Sequence, residues 1–204
     1  MVKLCLGGAF NPIHHGHLLC ARAAAEALDL HSVVLLPNGK PPLTKAEGPA
    51  SAAHRLEMCR RAIAQVPGFE LDVRETERAG PSFTIDTVQE LLSQGWKEVF
   101  WFVGADQVMS LPTWHRPQEL MKLVRFVVVS RPGWVLNLES LPAEFRELNA
   151  SVVAVPQLDI SSTEIRRRVS QGKPIDFLTP PAVCRYIQEH GLYRDSQELY
   201  RNSP

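Results

Sequence analysis

Six short apolar runs, at residues 2–6, 32–37, 69–73, 98–103, 125–130 and 152–155, are separated by stretches whose apolar residues return with helical spacing. A helix between two strands carries the chain back to the edge it left, so the alternation predicts βαβ units and a parallel sheet. Within residues 18–28, Leu18, Ala21, Ala25 and Leu28 share one helical face, and Ile85, Val88, Leu91 and Leu92 repeat the arrangement further on. Gly95, Gly172 and Gly191 stand where such helices should stop. The expected architecture is α/β, a doubly wound parallel sheet.

Sheets of this kind bind ligands beyond the carboxyl ends of their strands. Four polar segments fall there: residues 7–17 after the first run, 38–45 after the second, Gly104-Ala105-Asp106 after the fourth, and 159–166 after the last. The first, Gly7-Gly8-Ala9-Phe10-Asn11-Pro12-Ile13-His14-His15-Gly16-His17, reads as a strand end, a glycine-rich turn and a helix start. Gly7 and Gly8 admit a ligand close to the backbone, and a helix start offers unpaired N–H groups and the positive end of a dipole, which together suit phosphate. Spelling excludes two familiar phosphate loops. No Lys-Ser or Lys-Thr follows the last glycine, and the spacing is not G-x-G-x-x-G.

Composition narrows the partners. The 204 residues are 45% hydrophobic and 22% charged, which suits one domain spanning 1–204 with a sizeable core. Twenty-two basic residues balance twenty-two acidic ones, so no electrostatic footprint points to nucleic acid or an anionic membrane. The apolar runs are far short of a membrane span. Cys5, Cys20, Cys59 and Cys184 lie far apart in largely apolar contexts without metal-finger spacing, and reduced thiols in a cytoplasmic protein are expected. No internal repeat or linker is visible, and residues 38–50 read as a mobile loop.

In Ile160-Ser161-Ser162-Thr163-Glu164-Ile165-Arg166, Ser161 with Glu164 has the spacing of a capping box, so a helix begins there with Arg166 one turn further on. By itself this is either an ordinary capped helix with a solvated basic face or an anion site. His14 and His17 are equally open. They could ligate a metal, although no cysteine or carboxylate in the segment completes a tetrahedral set. They could be loop histidines without a chemical task, or they could donate hydrogen bonds to phosphate.

Taken together, H-x-G-H at His14-His15-Gly16-His17 and I-S-S-T-x-I-R at residues 160–166 resemble the two signatures of the H-x-G-H nucleotidyltransferases, and most closely the bacterial nicotinate mononucleotide adenylyltransferases. The resemblance runs from Val2 to about Tyr193. It implies a Rossmann-like nucleotidyltransferase fold and adenylyl transfer from ATP, with its Mg²⁺, to nicotinate mononucleotide, giving nicotinate adenine dinucleotide and pyrophosphate. It implies that His14, His17 and Arg166 act on the phosphates, and that Gly8, Ala9, Phe10, Gly16, Gly104, Asp106, Ile160, Ser161, Ser162 and Thr163 line the ATP site. Such transfer depends on positioning and neutralisation of oxygen charge rather than on a protein nucleophile.

Two further segments resemble the nicotinate enzymes. Pro81-Ser82-Phe83-Thr84-Ile85-Asp86-Thr87 is similar to their S-Y-T-x-D-T, and Leu111-Pro112-Thr113-Trp114-His115 to the segment whose tryptophan stacks on the pyridine ring. Ser82, Phe83, Thr84 and Trp114 are thereby expected at the pyridine nucleotide. Arg131-Pro132-Gly133 also matches the bacterial pattern. The chain departs from that pattern at Leu43 and Thr44, where the family carries His and then Lys or Arg, so either Lys40 or Lys45 is left to reach the phosphates. It departs again at His115, where an aromatic residue is usual. Rival expectations are a pantetheine-phosphate adenylyltransferase, which would not explain Trp114 or residues 82–87, and a nucleotide-binding module without turnover. The oligomeric state is not indicated.

Overall fold

The computed structural model describes residues 2–39, 49–130, 138–156 and 158–194; Lys40, Lys45, most of the loop expected at 38–50 and the Arg131-Pro132-Gly133 turn lie outside them. In chain order the elements are β1 (Val2–Gly8), α1 (His15–Ala27), β2 (Val33–Pro37), α2 (Ala52–Ile63), β3 (Phe69–Leu71), α3 (Arg74–Glu77), α4 (Thr84–Ser93), β4 (Glu98–Gly104), α5 (Ala105–Ser110), α6 (Pro117–Leu123), β5 (Val124–Ser130), β6 (Ala150–Ala154), α7 (Ser162–Ser170) and α8 (Pro181–Glu189). The strands form one sheet in the order β3-β2-β1-β4-β5-β6, and every neighbouring pair is parallel.

Side chains alternate across this sheet as strand geometry requires, and both sides are buried. Leu4 and Leu6 of β1, with Val33 and Leu35 of β2, pack on one face against α1, α2, α7 and α8. Cys5, Val34 and Leu36 point the other way, joining Val99, Trp101 and Val103 of β4 against α4, α5 and α6. Leu35 and Leu36 are both fully buried, a gain of about 1.5–3 kcal/mol for each such side chain. The doubly wound sheet is therefore explained by near-continuous apolar runs sandwiched between two helical layers.

From β1 the chain winds outward through β2 to β3, then returns to place β4 on the other side of β1. At this switch point the connections diverge and leave a crevice above the carboxyl ends of β1 and β4. The three glycines expected at helix ends all sit at positive φ, 88° at Gly95, 64° at Gly172 and 57° at Gly191. Each is followed by a backbone bond from the next residue back to the last helical turn, as in Trp96 N to Leu91 O at 3.3 Å.

Most strand limits fall within one residue of expectation, and three differ by two: β1 runs on to Gly8 rather than ending at residue 6. β3 stops at Leu71 rather than residue 73 because the Asp72 carboxylate accepts the Arg74 N–H at 3.0 Å and turns the chain into α3, a helix too short to show periodicity. β6 begins at Ala150, two residues early. No helix among the described residues is long and apolar enough to cross a membrane.

Candidate active site

The loop between β1 and α1 is held by side chains from remote parts of the chain. Ala9 O accepts from Arg55 Nη1 at 2.7 Å, Asn11 O from Arg166 Nη1 at 2.8 Å, Pro12 O from Ser162 Oγ at 2.8 Å, and Ile13 O from Thr179 Oγ1 at 2.6 Å. Tyr193 donates to Asn11 Oδ1 at 2.6 Å, and the His15 N–H donates to Leu178 O at 3.0 Å. The Asn11–Pro12 peptide is cis. Each such bond contributes about 1 kcal/mol net, more where a guanidinium donates, so the loop is shaped in advance of any ligand.

Gly8 has a local duty that sequence alone does not show. Phe10 adopts φ 45° and folds its ring back, so a Cβ on Gly8 would lie 3.2 Å from Phe10 Cζ. The space that suggested close approach of a ligand is taken, on that side, by the protein's own ring.

His14 and His17 lie ring over ring, centroids 3.6 Å apart, with Phe10 edge-on to His17. The His14 backbone N–H donates to His17 Nδ1 at 3.3 Å. With that lone pair engaged, neutral His17 carries its proton on Nε2, which becomes a donor. Burial lowers the His14 pKa to about 4, with His15 adding to the effect, and burial and then His14 lower that of His17 to about 3. Both imidazoles are therefore neutral near pH 7, and each offers one N–H rather than a charge. His14 Nδ1 is buried without a hydrogen-bond partner among the described residues, beneath Gly16, where a Cβ would come within 3.0 Å of it.

At the start of α7, Ser161 Oγ accepts from the Glu164 N–H at 3.1 Å. The reciprocal arm of the expected capping box is missing, because both Glu164 carboxylate oxygens pair with Arg167, at 2.8 and 2.7 Å. Arg166 uses one nitrogen on Asn11 O and another on Thr163 Oγ1 at 3.2 Å, which leaves further donors on a fork of five.

These pieces surround a cleft of about 380 Å³ at the switch point. Of the residues expected from sequence, Gly8, Ala9, Phe10, His17, Gly104, Ser162 and Arg166 form its wall; Asn11, Phe102 and Gln107 join them without having been singled out. His14, Gly16, Ile160, Ser161 and Thr163 belong to the same two segments but stand outside that wall. Asp106 is exposed in the first turn of α5, which is capped not by its side chain but by Gly104, whose N–H donates to Gln107 Oε1 at 2.9 Å.

The residues expected at the pyridine nucleotide form a separate group, also outside the wall of this cleft. Phe83 caps α4 and Thr84 opens it. Ser82 is turned inward, its hydroxyl donating to Glu75 O at 3.2 Å. Phe83 packs on His115 with centroids 4.2 Å apart, and Trp114 Nε1 donates to Ser110 Oγ at 3.3 Å. The anchors Arg55, Thr179 and Tyr193 were missed in sequence. The one signal for Arg55 is a cation on the apolar stripe of an amphipathic helix.

A parallel sheet in this strand order, with a phosphate-type loop at its switch point and an arginine brought in by a later helix start, defines a nucleotidyltransferase class of protein. A family model described as cytidylyltransferase-like matches residues 5–168. The chain is 44% identical over 191 residues to a probable nicotinate-nucleotide adenylyltransferase of Roseiflexus sp. (strain RS-1), covering 93% of this chain and 96% of that one. It is 42% identical over 188 residues to a protein of the same name from Bacillus pumilus (strain SAFR-032), covering 92% and 95%. The chain belongs to the nicotinate-nucleotide adenylyltransferase family within the cytidylyltransferase-like proteins. Its fold is also that of Plasmodium falciparum nicotinic acid mononucleotide adenylyltransferase, solved complexed with NaAD, with TM-score 0.71 at 18% identity over 94% of this chain and 97% of that one.

Proposed function

We propose that the protein transfers the adenylyl group of ATP to nicotinate mononucleotide, releasing pyrophosphate and forming nicotinate adenine dinucleotide for NAD synthesis, in the cytoplasm and as one domain over residues 1–204. The observation that carries the residue assignment is that His17 and Arg166, from opposite ends of the chain, reach one preformed cleft. An oxygen of the mononucleotide phosphate attacks the α-phosphorus of ATP, and the bond to the bridging α–β oxygen breaks. His17 Nε2–H, the free donors of Arg166 and the N–H groups at the start of α7 would bind the oxygens on which charge accumulates, with His14 backing His17. His14 and His17 act here as neutral donors.

Mg²⁺ in this reading arrives on the phosphates of ATP as part of the substrate. It takes oxygen ligands, and the triphosphate supplies them. At the pyridine end, the N–H groups at the start of α4 and the Thr84 hydroxyl would receive the nicotinate carboxylate, with Trp114 stacked on the ring.

Fixed N–H donors favour carboxylate over carboxamide, whereas the Thr84 hydroxyl can donate or accept and does not discriminate. Pyrophosphate release measured at saturating Mg-ATP with each mononucleotide is expected to give a kcat/KM for nicotinate mononucleotide at least about tenfold above that for nicotinamide mononucleotide. No release with either would sink the reaction. Equal values would sink the donor pocket.

A further inference from the structure

Arg55 lies near the start of α2 and is 5% exposed. Its guanidinium is spent on two loops at once. Nη1 donates to Ala9 O at 2.7 Å and to Asn38 Oδ1 at 3.0 Å, while Nη2 donates to Asn38 O at 2.7 Å and to Gly39 O at 2.9 Å. The Asn38 N–H in turn donates to Gly8 O at 3.0 Å, so the segments leaving β1 and β2 are stitched to each other and to α2. All four acceptors are neutral. A buried cation that finds carbonyl oxygens but no carboxylate among the described residues is costly to keep, and burial indeed lowers its pKa from the ordinary arginine value.

The geometry gives that cost a use. In a trans peptide the C=O and N–H point to opposite sides, so a bond that draws Ala9 O toward Arg55 turns the Phe10 N–H away from it. Ala9 and Phe10 both line the cleft that His17 and Arg166 enter. We propose that Arg55 is a positioning residue for adenylyl transfer, clamping the β1 loop to Asn38 and Gly39 so that the Ala9–Phe10 peptide presents its N–H to the ATP phosphates, while its charge, matched by no carboxylate among the described residues, favours an anion in the cleft. This rests on the reading of the cleft as the ATP site. Lysine at this position keeps the charge, but one ammonium cannot reproduce a planar fork across two loops.

The test uses Arg55→Lys, Arg55→Met and Asn38→Ala in the full chain, with a non-hydrolysable ATP analogue for affinity and pyrophosphate release for turnover. Both are normalised to the folded fraction seen by circular dichroism. Loss of the clamp is expected to cut kcat by at least about tenfold in both Arg55 variants, the scale of a misplaced catalytic loop. Analogue affinity should fall at least about tenfold in Arg55→Met and less in Arg55→Lys, which retains the charge. Asn38→Ala, which loses a single acceptor and leaves α2 untouched, should weaken the analogue by roughly two- to fivefold.

A residue that merely stabilises the fold would lower the folded fraction and leave both quantities unchanged per folded molecule, and that result overturns the proposal. Should Arg55→Met fail to fold, Arg55→Lys and Asn38→Ala decide the matter in the same way. Wild-type protein that neither binds the analogue nor releases pyrophosphate would sink the adenylyl-transfer reading and the role of Arg55 with it. Normal wild-type function beside unaltered Arg55→Lys and Asn38→Ala would sink the role of Arg55 alone.

Discussion

The two ends of the site are built differently. At the proposed phosphate end, the carbonyls of Ala9, Asn11, Pro12 and Ile13 are each engaged by a side-chain donor from α2, α7 or the segment before α8. At the proposed pyridine end Phe83 packs on His115, Trp114 donates to Ser110 Oγ at 3.3 Å, Ser82 donates to Glu75 O at 3.2 Å, and Arg116 and Asp86 form an exposed 4.0 Å pair. Exposed pairs contribute little, about 0–1 kcal/mol. The proposed phosphate end is therefore the more rigid before ligand arrives, and the proposed pyridine end the easier to repack around a different ring. Charge stabilisation in a transition state needs donors already in place, whereas recognition of a ground-state ring does not.

His17→Ala strikes the rigid end and carries the largest expected effect. Loss of one preorganised donor should lower kcat by about 10²-fold or more, with a smaller change in ATP affinity. Steady-state kinetics decide it, and near-normal turnover would remove His17 from the chemistry. Trp114→Ala probes the other end. It should raise KM for nicotinate mononucleotide by roughly tenfold, the scale of a lost stacking contact, with kcat and KM for ATP nearly unchanged. A fall in kcat as large as that of His17→Ala would show that the two ends are not separable.

The smallest effect concerns pH. His14 and His17 have folded-state pKa values, about 4 and about 3, below the ordinary histidine value near 6.5. The unfolded chain therefore binds more protons between those limits. The stability that the buried neutral rings contribute is complete above about pH 6.5 and is lost as pH falls toward 4. Urea unfolding of the ligand-free protein should show that decline, and His14→Gln should flatten it. A stability that rises as pH falls from 7 to 5 would mean that the histidines are held as cations.

Much of the cleft wall was legible in the chain because its parts are local. A glycine-rich turn followed by H-x-G-H, and a Ser-capped helix with an arginine one turn on, keep their meaning in any α/β sheet, since free N–H groups at a helix start follow from the hydrogen-bond pattern alone. The six strands were legible for a related reason. Each is a short apolar run whose alternate residues enter opposite faces, and helical spacing between them leaves only a parallel sheet.

Other features belong to the tertiary structure. Whether His14 and His17 were charged depended on how deeply the loop sank beside α7. Arg55 looked like any cation of a surface helix until packing closed around it, and Thr179 and Tyr193 acquired their partners only when the end of the chain folded back on its beginning. Local pattern determines which segments become strands and helix starts, because those choices are made by bonds a few residues long. Burial, protonation and the pairing of distant donors with loop carbonyls are decided only when the whole chain has excluded water from the space between them.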